Sequence, residues 1–384
     1  MPKKNVLILA SSHNIGGFET KLDNLIRHLD REKINLTFLL VYPDYKARHL
    51  PEEVRAKYRA FFSWDEVEVI EMRMKFRYEL SLIFKAARLF RKMHIDVLYY
   101  TSIGAGTFIA PAAALMAGVE RKIKEVQTIF KGQYPTVLKG LDRILTSKMD
   151  CVLVASEFLK RMLMAELHVK ASKIKVLPNA IDLEKFGQVT ETADLRDGLG
   201  IPRGSRIVGM IANLVAIKDH RTVMRAIPEI LKVKPDTVFL LFGDGPLRSD
   251  LEALAGKLKI LRNIRFMGYR TDVAKYIPLF DVGILSSRVE IHPISLIEIM
   301  ASGIPVVAPR VGGIPEIVIH EETGLLISQG NAAEMAAAIL ALFNDRKLSD
   351  RLGRKAGERV REMFSLDRMI KQTEAILTGR EIKQ

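Results

Sequence analysis

Short apolar runs alternate with amphipathic stretches along this chain, and no other feature constrains its fold as strongly. Residues 6–10, 36–41, 67–72, 95–100, 151–155 and 174–177 read as strands. They are apolar almost throughout rather than at every second position, so both faces of their sheet must be covered. Helical patterns separate them. Residues 18–29 form one, and Leu80, Ile83, Phe84, Ala87 and Phe90 share a face of another. The pattern restarts with strand runs at 207–212, 237–242, 264–267, 282–285, 305–308 and 325–327. Two successive doubly wound α/β units of parallel strands are therefore expected. A junction is expected across residues 181–206, where Gly200, Pro202 and Gly204 interrupt the periodicity. Residues 345–377 are helical in pattern, with a break at Phe364-Ser365 and Ser365 suited to an N-cap. Ligands of such sheets sit at the carboxyl ends of the strands, and the cleft between two facing units is the default site.

Composition narrows the classes. The single cysteine, Cys151, excludes a disulfide framework and a cysteine-based zinc site. The formal charge is +14, concentrated in the first half: 31 Lys and Arg against 21 Asp and Glu in residues 1–190, then 28 against 24 in residues 191–384. A phosphate-bearing substrate or an anionic membrane surface fits this balance. Nucleic acid does not, because no helix-turn-helix signature or basic-aromatic strand is present. The opening Met1-Pro2-Lys3-Lys4 and its strand lack the apolar core of a secretory leader. Residues 97–119 carry no charge, but Gly104, Gly106 and Pro111 make them a buried strand, a turn and an Ala-rich helix rather than a membrane span. The helix of residues 77–93 carries Lys85, Arg88, Arg91 and Lys92 beside its apolar stripe: a wet basic face, or a contact with an anionic membrane.

The densest chemistry lies at residues 290–308. Glu290 falls in the loop after a strand, Pro293 suits the first turn of the next helix, and Glu298 lies just over one turn inside it. Free N–H groups at such a helix start favour an anion, and a carboxylate beside it can accept the two hydroxyls of a ribose. Lys218, after Asn213-Leu-Val-Ala-Ile, is a cation able to neutralise a departing phosphate. No Asp-x-Asp and no histidine cluster suggests a metal. No Walker loop, serine elbow or complete Gly-x-Gly-x-x-Gly is present, which disfavours a nicotinamide dehydrogenase.

The Glu290-to-Glu298 spacing, followed by Met300-Ala-Ser-Gly303-Ile-Pro305-Val-Val, resembles the paired-glutamate signature of retaining glycosyltransferases of family four. Further matches follow in order: Gly16-Gly17-Phe18-Glu19, Pro178-Asn179-Ala180-Ile181-Asp182, Phe242-Gly243-Asp244-Gly245-Pro246, Phe266-Met-Gly268, Gly312-Gly313-Ile-Pro-Glu316 and Thr323-Gly324. The resemblance implies two facing Rossmann-like domains, the B-type glycosyltransferase fold. Residues 1–180 would form the acceptor side and 181–364 the nucleotide-sugar domain, with a C-terminal helix, 365–384, crossing back to the first domain.

It also implies roles. Glu298 would bind the donor ribose and Glu290 would lie by the donor sugar. Backbone groups of His292, Pro293, Ile294 and Ser295 would meet the sugar or phosphates, and Gly16 and Gly17 would approach the diphosphate. Lys218 would neutralise it, alongside Asn213, which stands where the family usually has an arginine. Ile291 replaces a common glycine. A family histidine of the first domain is absent from Tyr100-Thr101-Ser102 and Val126-Gln127-Thr128, with His13 the nearest substitute. The implied reaction moves a sugar from a nucleotide diphosphate, UDP above all, to a hydroxyl of a glycan or lipid-linked acceptor in surface polysaccharide assembly. No cofactor or metal is expected, and the implied location is cytoplasmic or peripheral at the inner membrane face. Rival readings are a nucleotide-sugar epimerase and a non-catalytic sugar-nucleotide-binding subunit.

Overall fold

A computed structural model describes residues 3–10, 17–43, 63–75, 79–101, 106–127, 136–186 and 192–380. It divides into two compact units, Met1–Pro178 with Asp367–Gln384, and Asn179–Leu366.

In the first unit the strands are β1 (Lys4–Ala10), β2 (Ile34–Pro43), β3 (Glu68–Met74), β4 (Val97–Thr101), β5 (Arg121–Val126), β6 (Cys151–Val154) and β7 (Ile174–Val176). Helices α1 (Gly17–His28), α2 (Ser81–Lys92), α3 (Gly106–Ala117), α4 (Thr136–Ser147) and α5 (Glu157–Leu167) alternate with them. The sheet is parallel, in the order β3-β2-β1-β4-β5-β6-β7. Val6, Leu7, Ile8 and Leu9 of its central strand are wholly inaccessible, as continuous apolar strands require.

The sequence pattern missed β5. Its Arg121-Lys122-Ile123-Lys124-Glu125-Val126 looks like a solvated loop, yet Lys124 and Glu125 are buried on opposite faces of the sheet. Each charge has a partner. Lys124 Nζ contacts Asp142 Oδ1 at 2.6 Å and Thr146 Oγ1 at 2.7 Å on α4. Glu125 Oε1 meets Lys21 Nζ of α1 at 2.6 Å. Buried charges survive when paired and hydrogen-bonded.

The α2 face also differs from expectation. Leu82, Ala86, Ala87 and Phe90 turn inward, while Leu80 and Phe84 stand 66% and 65% exposed. The apolar sector of this helix is wider than the strip its neighbours cover.

The second unit runs α6 (Thr192–Gly198), β8 (Ile207–Ile211), α7 (His220–Val233), β9 (Val238–Phe242), α8 (Arg248–Lys257), β10 (Ile264–Gly268), β11 (Val282–Ile284), α9 (Ile294–Ala301), β12 (Val306–Pro309), α10 (Ile314–Ile317), β13 (Leu325–Ile327), α11 (Ala332–Asn344) and α12 (Arg346–Met363). Its parallel sheet has the order β10-β9-β8-β11-β12-β13. The interruption at Gly200, Pro202 and Gly204 is the α6–β8 turn, inside this unit.

After α12 the chain returns to the first unit as α13 (Leu366–Thr378). Glu374 accepts the Asp30 N–H at 3.0 Å, and Arg121 Nε donates to the Ile376 carbonyl at 2.8 Å. No described helix is long and apolar enough to cross a membrane.

Candidate functional site

Strand order in the second unit reverses between β8 and β11. The carboxyl ends of those two strands mark the switch point at which doubly wound sheets bind ligands. The residues expected from the sequence come from the loops after them: Asn213 and Lys218 follow β8, while Glu290, His292 and Pro293 follow β11 and lead into α9.

The loops are latched together. Arg288 N–H donates to the Ile217 carbonyl at 2.8 Å, and Ser286 Oγ donates to the Lys218 carbonyl at 2.7 Å. Lys218 Nζ pairs with Glu290 Oε1 at 2.5 Å, and Ser287 Oγ donates to the same oxygen at 2.7 Å. Glu290 is buried, whereas the Lys218 side chain stays 25% exposed, so this cation keeps access to solvent.

Glycine fixes Glu290 from behind. Gly312 has φ +55°, and a Cβ there would lie 1.9 Å from the Glu290 carbonyl oxygen. Gly313 N–H donates to that oxygen at 3.0 Å. Only a residue without a side chain permits so close an approach at that φ.

Pro293 is the N-cap of α9 in extended conformation, one position before the first turn where the sequence suggested it, and Ile294 opens the helix. No side chain caps this terminus, so its first N–H groups are left for water or an anion. Glu298 lies one turn in, half-buried, with no hydrogen-bond partner for its carboxylate among the described residues. Burial alone pushes its carboxyl up to about 7.

The His292 carbonyl accepts from Asn179 Nδ2 at 2.8 Å, and its ring meets Phe364 edge-on at 5.2 Å. Asn213 is exposed. His220, two residues after Lys218, is buried at the start of α7. Burial first, then the Lys218 charge, push it down to about 4, so it is neutral at neutral pH.

In the first unit Gly17 opens α1, while Gly16, His13, Ser102 and Thr128 lie outside the described residues. The reversal here falls between β1 and β4. Beside it is a polar group the sequence reading did not identify. Glu125 accepts from Lys21, from the Tyr99 hydroxyl and from the Gln127 carboxamide. A Gln127 amide nitrogen held this way leaves its carbonyl oxygen as the outward acceptor. No local signal marks it, because β5 is charged at four of its six positions. Among the described residues no three His, Cys, Asp or Glu side chains group as a metal site.

Two doubly wound sheets, with a cation, a buried carboxylate and an uncapped helix start gathered at one switch point, are the equipment of a B-type glycosyltransferase. The comparisons agree. Residues 191–359 match glycosyl transferases group 1, and residues 15–185 match glycosyltransferase family 4. The N-acetyl-alpha-D-glucosaminyl L-malate synthase of Bacillus anthracis is 30% identical over 308 residues, 78% of each chain. The UDP-Gal:alpha-D-GlcNAc-diphosphoundecaprenol alpha-1,3-galactosyltransferase of Escherichia coli is 25% identical over 280 residues, 71% of this chain and 72% of that one. Among solved structures, Anabaena Alr3699/HepE in complex with UDP superposes with a TM-score of 0.83 at 18% identity, covering 98% of this chain and 100% of the other. The chain belongs to the group 1 glycosyl transferases, family four, and is a glycosyltransferase.

Proposed function

We propose that this glycosyltransferase transfers a hexose or N-acetylhexosamine from a UDP donor, with retention of anomeric configuration and without a metal, to a hydroxyl of a glycan or lipid-linked acceptor. The observation that carries the reading is the Lys218–Glu290 contact at the β8/β11 switch point, one loop from the unpartnered Glu298 carboxylate. In this reading Glu298 accepts the two ribose hydroxyls. Lys218 exchanges Glu290 for the donor β-phosphate, and Glu290, so released, accepts a hydroxyl of the donor sugar. The N–H groups of Ile294 and Ser295 at the α9 start, with the backbone around His292 and Pro293, take the remaining phosphate or sugar oxygens. Asn213 adds a hydrogen bond but no charge.

The bond from the sugar C1 to the β-phosphate oxygen breaks, and its electron pair stays on the diphosphate. The acceptor oxygen bonds to C1 from the same side, and its proton passes to the leaving phosphate, so no protein nucleophile is needed. Lys218 stabilises the charge that develops on that phosphate. A nucleotide-sugar donor places the reaction on the cytoplasmic side, and surface polysaccharide or glycolipid assembly is the proposed setting. One named relative is a synthase and the other a galactosyltransferase with a diphosphoundecaprenol-linked acceptor in its name, which supports this reading over an epimerase or a non-catalytic subunit.

The test is a panel of UDP-, GDP- and ADP-sugars offered with glycan and lipid-linked acceptors. Free UDP should accumulate, the product should keep the donor's anomeric coupling by NMR, and EDTA should not slow the reaction. Lys218→Ala should lower kcat by about 10²–10³, the cost of losing one charge-stabilising group. Absence of UDP-sugar binding at millimolar concentration by calorimetry would refute the proposal.

A further inference from the structure

The turn that interrupts the sequence pattern, Pro202-Arg203-Gly204-Ser205-Arg206, has no part in the proposed transfer. It lies at the amino end of the second sheet. Arg206 immediately precedes β8 and Asp281 immediately precedes β11, whereas the candidate donor site follows the carboxyl ends of the same two strands. Ser205 N–H donates to the Pro202 carbonyl at 3.2 Å, and Gly204, at φ +86°, lets the chain turn between them.

An open pocket of about 440 Å³ lies against this turn, with Arg196, Asp197, Arg203, Ser205, Arg206 and Asp281 in its wall. That is room for a small molecule rather than a lone ion. Its hydrogen-bonding capacity is lopsided. Asp281 is saturated: Oδ1 pairs with Arg206 Nη1 at 2.6 Å, and Oδ2 accepts the Ile207 N–H at 2.7 Å. Arg206 is held by that pair and by the Phe343 ring, 5.6 Å from its guanidinium carbon, yet its side chain stays 44% exposed. Arg196 gives two N–H groups to the Ser205 carbonyl, each at 3.3 Å, and keeps the others. Arg203 is exposed, with no hydrogen bond or ion pair among the described residues. Ser205 is 5% exposed, and its hydroxyl also lacks a partner there. A buried hydroxyl left so costs free energy unless a ligand or water meets it. Against this surplus of donors stands the exposed carboxylate of Asp197.

We propose that this pocket binds a small phosphate monoester with a hydroxyl-bearing body. The phosphate oxygens accept from Arg203, from the unused N–H groups of Arg196 and Arg206, and from the Ser205 hydroxyl. A hydroxyl of the body donates to Asp197. Guanidinium groups suit this task, because their planar fork matches phosphate oxygens two at a time and never loses its charge. A cation would meet three arginines. An anion without hydroxyls would set its charge against Asp197 and gain nothing in return. The inference does not rest on the donor assignment.

The test is calorimetry on the full chain with glucose 6-phosphate, inorganic phosphate and glucose, each titrated with and without saturating UDP. Glucose 6-phosphate should bind at one site per chain, with UDP present as without it. With UDP present, inorganic phosphate should bind about tenfold more weakly, and glucose should give no heat at millimolar concentration. Arg203→Gln should weaken glucose 6-phosphate by about tenfold or more, the loss of a charge-assisted contact. Arg203 faces solvent without a partner, so the melting temperature of the unliganded variant should match the parent's. Asp197→Ala should lower affinity for the ester while raising it for inorganic phosphate, an inversion that a general loss of structure would not produce. The proposal would be overturned by no binding of glucose 6-phosphate at millimolar concentration, by its displacement with UDP, by equal affinity for inorganic phosphate, or by an Arg203→Gln variant that binds like the parent.

Discussion

In the role proposed for it, Glu298 trades stability for binding. A carboxylate that accepts two hydroxyls must be ionised, yet burial raises this one from its ordinary 4.5 to about 7. Between those values the folded chain holds a proton that the unfolded chain has released. Stability contributed here therefore falls as pH rises through that window and is flat above it. Glu298→Gln stays neutral at every pH and escapes the loss. Near pH 8 the unliganded variant should be more stable than the parent, by about 1–3 kcal/mol after discounting for partial exposure, and the two should converge toward the ordinary carboxyl value. UDP titrations should rank them the other way, with the parent ahead by about tenfold and its lead growing from acid to alkaline pH. A variant that melts lower than the parent above neutrality would contradict the assignment. The roles proposed for Glu290, Glu298 and Lys218 come from the family resemblance, with residue type in keeping for Glu298 and Lys218. That Lys218 touches Glu290 could not be read from the sequence, because 72 residues separate them and a latch between two loops brings them together.

At the scale of elements, β5 and α2 carry the two departures from the sequence reading, for related reasons. Hydropathy patterning assigns each side chain to core or solvent by its own polarity. Lys124 and Glu125 are inside because Asp142 and Lys21 come from other elements to neutralise them. Leu80 and Phe84 are outside because no described element covers that sector of α2. The first case gives a direct check. Lys124→Met leaves Asp142 buried without its cation and should cost about 3–5 kcal/mol in thermal or denaturant unfolding, whereas Lys124→Met with Asp142→Leu should recover most of it. If the double variant is no more stable than the single one, the pair does more than neutralise charge. Most of the remaining strands were legible because parallel strands covered on both faces must be apolar throughout, although β3, at the sheet edge, is largely exposed and carries Glu68, Glu71 and Arg73.

For the whole molecule, the last helix belongs structurally to the first unit although it follows the second in sequence. Met369, Ile370, Ile376 and Leu377 are buried there, each side chain contributing about 1.5–3 kcal/mol when fully covered. Glu374 adds a hydrogen bond to the Asp30 N–H and an ion pair with Lys33 at 3.3 Å. Removing residues 367–384 should therefore destabilise the first unit severely. The gentler Glu374→Ala should lower its stability by about 1–2 kcal/mol in a thermal melt. A variant that melts with the parent would show that α13 rests on the unit without holding it.

By itself the sequence determined the two doubly wound sheets, the position of most strands and the types of residue gathered after β8 and β11. Local periodicity carries the first two, because burial on two faces demands apolar residues at short range, and the family resemblance carries the third. Tertiary structure alone decided which charges could be buried, which apolar side chains would be left in water, and which residues of distant loops would touch. Those outcomes depend on partners supplied from elsewhere in the chain, and no local pattern encodes them.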